Sequence, residues 1–107
     1  MRNREVTDLP FQVLADPTRR AMLDLLRRGD QPAGEIARSF PVSRPAISKH
    51  LRLLRRAKLV RERRSGRHRI YRLSPAPLRV VDRWLEQYRA FWSLKLGNLK
   101  AFVEKRT

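Results

Sequence analysis

The segment VSRPAISKHLRLLRRAKLV, Val42 to Val60, restricts the fold more than any other part of the chain. Ile47, Leu51 and Leu54 recur at i, i+4 and i+7, and Leu53 and Ala57 widen the stripe. That period is helical and demands one buried face. Arg44, Ser48, Lys49, Arg52, Arg55 and Arg56 fall off the stripe, so the other face is cationic. Ser43 is a favourable N-cap, and Pro45 sits in the first turn, where its missing N–H costs little. The helix upstream begins near Pro32, repeats Ile36, Ala37 and Phe40, and is ended by Pro41. Only Pro41 and Val42 separate it from Ser43. Two helices joined by so tight a turn predict a helix-turn-helix over residues 32–57.

Past Ala57 the period changes. Leu59-Val60-Arg61-Glu62-Arg63 reads as a strand, Ser65-Gly66-Arg67 as a turn, and His68-Arg69-Ile70-Tyr71-Arg72-Leu73 alternates as a half-buried strand does. The result is a hairpin over residues 59–73 with Arg63, Arg64, Arg67 and Arg69 around its tip. A helix-turn-helix followed by a basic hairpin is a winged helix. The fold class is therefore mostly α with a small β-hairpin.

The charge distribution says what these two elements face. Lys and Arg number 26 against 10 Asp and Glu, a net charge of +16. Ser43 to Arg72 holds 12 of the basic residues and one acid, Glu62, so this stretch alone carries +11. A surplus kept for solubility has no reason to gather in one place; a face that docks a polyanion does. Ser43, Arg44, Pro45, Ser48, Lys49 and Arg52 form the candidate DNA-binding set of the second helix. Arg44, Ser48 and Lys49 lie in its first two turns, where base edges are met, and Arg52, further along, faces phosphate or simply solvent. Arg63, Arg64, Arg67 and Arg69 are the candidate wing contacts to the backbone or the adjacent minor groove.

The flanks are helical. Asp8-Leu9-Pro10 is read as the start of a short helix through Ala15. Asp16-Pro17 starts a second, with Ala21, Met22, Leu25 and Leu26 at helical spacing and Gly29 as its stop. After Ser74-Pro75-Ala76-Pro77 a helix of residues 78–105 is expected, about 42 Å long at 1.5 Å per residue. It holds both Trp and two of the four Phe. A stripe that long and aromatic packs on a second subunit or folds back over the chain's own core, and the first reading is favoured. Leu85, Tyr88, Trp92 and Leu99 are the candidate dimer contacts, with the first helix joining them. With 107 residues, the chain is expected to form a single DNA-binding domain, 1–107.

There is no cysteine, so disulfides, thiolate metal sites and cysteine nucleophiles are excluded. No apolar run nears the roughly 18 residues of a membrane span, and the N-terminus has no apolar signal region, so a soluble, cytoplasmic protein is expected. The four glycines are isolated, and no His or acids cluster with catalytic spacing, so no enzyme is expected. An RNA-binding or ribosome-associated basic protein is the alternative. Against it stands the lack of an exposed aromatic platform for unstacked bases.

VLADPTRRAMLDLLRRG, EIARSFPVSRPAISKHLRLLRRAKLV and RERRSGRHRIYRLSP together resemble the ArsR family of bacterial repressors. The resemblance runs continuously from Leu14 to Pro75. It implies a dimeric winged-helix repressor whose first and last helices form the interface, bound to a double-stranded, palindromic operator. It implies that base-reading positions fall at Arg44, Pro45, Ser48 and Lys49. Metal-sensing members carry a Cys pair before the recognition helix or His and Asp ligands on the last helix. Here Gly34-Glu35-Ile36-Ala37-Arg38 holds neither Cys nor His, and the last helix has no His. The two histidines, His50 and His68, are too few for a first-row metal site. No metal and no cofactor are expected. His50 is expected to pack rather than read a base, and His68 to be exposed in the wing.

Overall fold

A computed structural model describes the backbone of residues 2–106 and the side chains of residues 8–93. The order is α1 (Arg2–Leu14), α2 (Pro17–Arg27), β1 (Gln31–Pro32), α3 (Ala33–Ser39), α4 (Arg44–Arg56), β2 (Val60–Ser65), β3 (His68–Leu73) and α5 (Leu78–Arg106). The strands form one antiparallel sheet in the order β1-β3-β2.

The start signals act as their chemistry dictates. The Asp16 carboxylate accepts from the Arg19 N–H at 3.0 Å, and Pro17 occupies the first helical position of α2. That backbone N–H is the largest cause holding the Asp16 carboxyl below its ordinary pKa. Arg19 and Arg20 then reach back to the end of α1. Arg19 donates to the carbonyls of Val13 (2.8 Å) and Gln12 (3.3 Å), and Arg20 donates to Leu14 (2.6 Å). Carbonyls that α1 leaves without helical partners are thus satisfied by α2.

Two expectations are corrected. The first helix does not begin at Asp8; it runs from Arg2 and carries Pro10 in its interior. Asp-Leu-Pro resembles a start signal, but Leu9 packs on the core, Val13 belongs to it, and Pro10 is buried. That burial outweighs the one ladder bond a proline removes. The sheet also has a third strand. Gln31 and Pro32 pair with Tyr71 and Ile70 of β3, and Pro32 serves as the N-cap of α3 without a side-chain bond. Pro32 tolerates this place because β1 is an edge strand.

The core is a single cluster. Met22, Leu23 and Leu26 come from α2, Ile36 from α3, Ile47, Leu51 and Leu54 from α4, and Leu59, Val60 and Tyr71 from the base of the wing. The turn from α4 into β2 is built into it. The N–H of Lys58 bonds the Arg55 carbonyl at 2.9 Å, and the N–H of Leu59 bonds the Leu54 carbonyl at 3.0 Å. This is a Schellman closure, with Leu54 and Leu59 as its hydrophobic pair. Both are fully buried. The left-handed position falls on Lys58, at φ 61°, where glycine is the usual occupant. Lys58→Gly is therefore expected to stabilise the fold by about 0.5–1 kcal/mol. Urea denaturation checks it, and a destabilised variant would contradict the closure.

Of the described α5 residues, Leu78 alone packs against the core cluster. Beyond it, α5 meets α1 edge-on through Phe11 and Trp84, with ring centroids 5.7 Å apart. Trp84, Tyr88 and Trp92 then form a row at i, i+4 and i+8, with centroids 5.1 and 6.2 Å apart. These three rings and Phe91 remain 40–52% exposed.

Candidate nucleic-acid interface

Ser43 Oγ accepts from the Ala46 N–H at 3.2 Å and so fixes where α4 begins. Pro45 follows in the first turn. With Ile47, Leu51 and Leu54 turned into the core, the helical period places Pro45, Lys49, Arg52 and Arg56 directly outward. Arg44 and Ser48 lie on the flank nearer the wing. All of Ser43, Arg44, Pro45, Ser48, Lys49 and Arg52 are exposed. Arg44 and Ser48 line a cleft of about 180 Å³ together with Ala33, Ala37, Tyr71 and the wing residue Arg69. The helix-turn-helix and the wing therefore meet at one surface.

The wing is a two-residue hairpin. Ser65 pairs with His68 across Gly66 and Arg67, and Gly66 takes φ 64°, which suits glycine at the first loop position. Pairing alternates its faces. Val60, Glu62 and Arg64 share one side of β2, opposite Leu73, Tyr71 and Arg69 of β3. That side begins in the core at Val60 and Tyr71 and ends, toward the tip, in two arginines.

The four candidate wing arginines are not equivalent. Arg63 pairs with Asp30 at 3.4 Å, and Arg69 lies 3.8 Å from Glu62. Among the described residues, Arg64 and Arg67 have no acid within ion-pair distance. Charge counting did not separate these two pairs. It also missed Glu62 and Asp30 as partners, although Glu62 is signalled as the one acid between Ser43 and Arg72.

His50 packs, as expected. Its Nδ1 stands 3.4 Å from an Arg19 guanidinium nitrogen and 3.9 Å from the Asp16 carboxylate. With the proton on Nε2, Nδ1 accepts from Arg19. The same arginine holds the end of α1, so α1, α2 and α4 meet in one polar node. His68 is exposed.

Tyr88 and Trp92 sit in the exposed aromatic row, and Leu85 beside them is half-buried. The Leu99 side chain lies outside the described residues. Asp82 and Glu86 both pair with Arg89 on α5. Among the described residues, no three His, Asp or Glu come together in a way that could hold a metal, and no helix is long and apolar enough to cross a membrane.

A core-anchored helix with an outward basic face, joined to a basic hairpin, defines the winged helix-turn-helix class. The comparisons agree. Residues 14–63 match the family described as Helix-turn-helix domain. The chain is 44% identical over 97 residues to the HTH-type transcriptional regulator Rv2034 of Mycobacterium tuberculosis, covering 91% of this chain and 88% of that one. It is 41% identical over 75 residues to the transcriptional repressor SdpR of Bacillus subtilis, covering 70% and 83%. Its fold superposes on an ArsR-like transcriptional regulator from Rhodococcus sp. RHA1 with a TM-score of 0.71 at 36% identity, covering 95% and 96%. The chain belongs to the ArsR family of transcriptional regulators, and it is a DNA-binding regulator rather than an enzyme.

Proposed function

We propose that the protein represses transcription by binding a palindromic operator as a homodimer, with α4 in the major groove and the β2–β3 wing on the flanking backbone. The observation that carries this reading is the exposed set Lys49 and Arg52, standing opposite the buried Ile47, Leu51 and Leu54 of the same helix, with Arg44 and Ser48 exposed on the flank toward the wing. Arg44, Pro45, Ser48 and Lys49 meet base edges, and Arg52 meets phosphate. Ser43 contributes by setting the start of the helix. Arg64 and Arg67, free of acid partners among the described residues, take phosphate or the adjacent minor groove; Arg63 and Arg69 stand behind them, each shared with an acid. Leu85, Tyr88, Trp92 and Leu99 form the dimer seam with α1. The repressor SdpR, similar to this chain over most of its length, supports the sign of regulation. The absence of cysteine supports control without a metal, and the site of action is the cytoplasm.

The test is a pair of titrations on operator and random duplex across a salt series, with folded RNA as a competitor at matched salt. Arg44→Ala is expected to lower operator affinity by about 1–3 kcal/mol and to relax specificity at one base pair. Arg67→Ala is expected to weaken operator and random duplex equally and to reduce the salt slope by about one unit. If Arg44→Ala lowers both affinities by the same factor, α4 does not read bases. If Arg67→Ala leaves the slope unchanged, the wing tip does not touch phosphate.

A further inference from the structure

The single acid of the DNA-facing segment is built in, not stray. Glu62 is only 17% exposed at its side chain, in a stretch that otherwise carries 12 cationic side chains. Tyr71 is its direct cross-strand partner, and the Tyr71 hydroxyl donates to Oε2 at 2.9 Å. Tyr71 is itself in the core, so the carboxylate is held from beneath by a fixed donor. Burial and this bond to Glu62 both push the Tyr71 hydroxyl above its ordinary pKa, so it stays a donor. From above, two guanidinium groups converge on the same carboxylate. Arg55 of the last turn of α4 lies 3.1 Å from Oε2, and Arg69 of the wing lies 3.8 Å from Oε1. Arg69 is the diagonal neighbour across the strand pair, the reach such pairs allow.

The carboxylate is already satisfied from beneath by the Tyr71 hydroxyl, and the guanidinium ends of Arg55 and Arg69 are half-exposed, where solvent weakens their attraction. An acid on a phosphate-binding face also repels DNA. Its effect falls instead on how many cations the face offers to any duplex.

We propose that Glu62 is a positioning residue that sets specificity: it holds Arg55 and Arg69 away from the phosphates and ties the wing to the end of α4. Binding that ignores sequence is driven by cations meeting phosphate. A carboxylate that withdraws two of them lowers affinity for random DNA while leaving the base-reading residues of α4 free. Arg55 and Arg69 come from the two parts of the site, so one carboxylate also fixes their relative position. The inference rests on the proposal that α4 and the wing face DNA.

Glu62→Gln tests it, because the amide oxygen still accepts from Tyr71 while the charge is gone. Random duplex is expected to bind roughly tenfold more tightly at about 0.1 M salt for each guanidinium released, with the salt slope steeper by about one unit each. Operator affinity should rise less, so the operator-to-random ratio falls. Adding Arg55→Ala and Arg69→Ala to Glu62→Gln should return the slope to that of the parent chain, which a merely structural role of Glu62 would not predict. Urea denaturation of each variant separates misfolding from these effects. An unchanged slope in a folded Glu62→Gln, or an equal gain on operator and random duplex, overturns the inference. Arg67→Ala run alongside distinguishes the failures: if it reduces the slope and Glu62→Gln does not raise it, only the role of Glu62 falls. If neither Arg44→Ala nor Arg67→Ala changes binding, the DNA-facing reading falls, and the role of Glu62 with it.

Discussion

Trp92→Asp is expected to lower affinity for a duplex with two half-sites by about 10²–10⁴-fold, without changing any residue that faces DNA. The reason lies in how α5 is used. Leu78 is its one described residue against the core cluster, and beyond it Trp84 meets Tyr88 at a tilt and Tyr88 stacks on Trp92, with all three rings partly exposed. A contiguous aromatic patch of that kind marks an interface in a protein that is otherwise strongly charged. In the proposed homodimer a second copy of α5, related by two-fold symmetry, would cover it and set two α4 helices about 34 Å apart, one turn of DNA. An aspartate at the centre of the seam would be buried without a partner, which disfavours association strongly. The wing and the helix-turn-helix do not rest on Trp92, so the monomer stays folded and keeps its affinity for a single half-site. Sedimentation at micromolar concentration should give twice the chain mass for the parent and the chain mass for the variant. A parent chain that sediments as a monomer yet binds the two-site duplex at full strength would end the symmetric model.

How much of this was legible in the sequence depends on the range of the interactions. The α4 helix was legible because its signals are local: Ser43 caps it, Pro45 fits its first turn, and Ile47, Leu51 and Leu54 repeat at its period. The wing was legible because Gly66 sits between two alternating runs. The strand β1 was not, since two residues carry no period, and Gln31-Pro32 is extended only because β3 lies beside it. The start of α1 was misread for a related reason. Asp8-Leu9-Pro10 has the local chemistry of a helix start, and only packing on the rest of the fold reveals that the helix has already begun. At the candidate site, the cationic residues could be counted but not sorted. Arg63 finds Asp30 from 33 positions away, and Arg55, Arg69 and Tyr71 reach Glu62 through strand register and the α4–β2 turn. Charge composition locates such a face; the register decides which of its cations are held back.

The other large effect is on stability, from the buried side of the same helix. Leu54→Ala is expected to destabilise the protein by about 2–5 kcal/mol. Leu54 has no exposed surface, and Met22, Ile36 and Leu59, equally buried, complete the centre of the core. Four different elements or turns supply those residues, so none can shift far to fill the space a leucine leaves. Leu54 is also the apolar partner of Leu59 in the closure that turns α4 into the wing, and its carbonyl accepts the Leu59 N–H. Truncation leaves that bond but removes the packing beneath it. Against a total stability of about 5–15 kcal/mol for a domain, the loss is large enough to lower the thermal midpoint by tens of degrees at the upper end of the range. Arg52→Ala, on the outward face, should stay within about 0.5 kcal/mol and weaken DNA binding instead. Urea denaturation of both variants, at one protein concentration because any self-association would add to stability, makes the comparison. A loss below about 1 kcal/mol for Leu54→Ala would mean that α4 is not anchored in the core, and the outward direction of Lys49 and Arg52 would lose its basis.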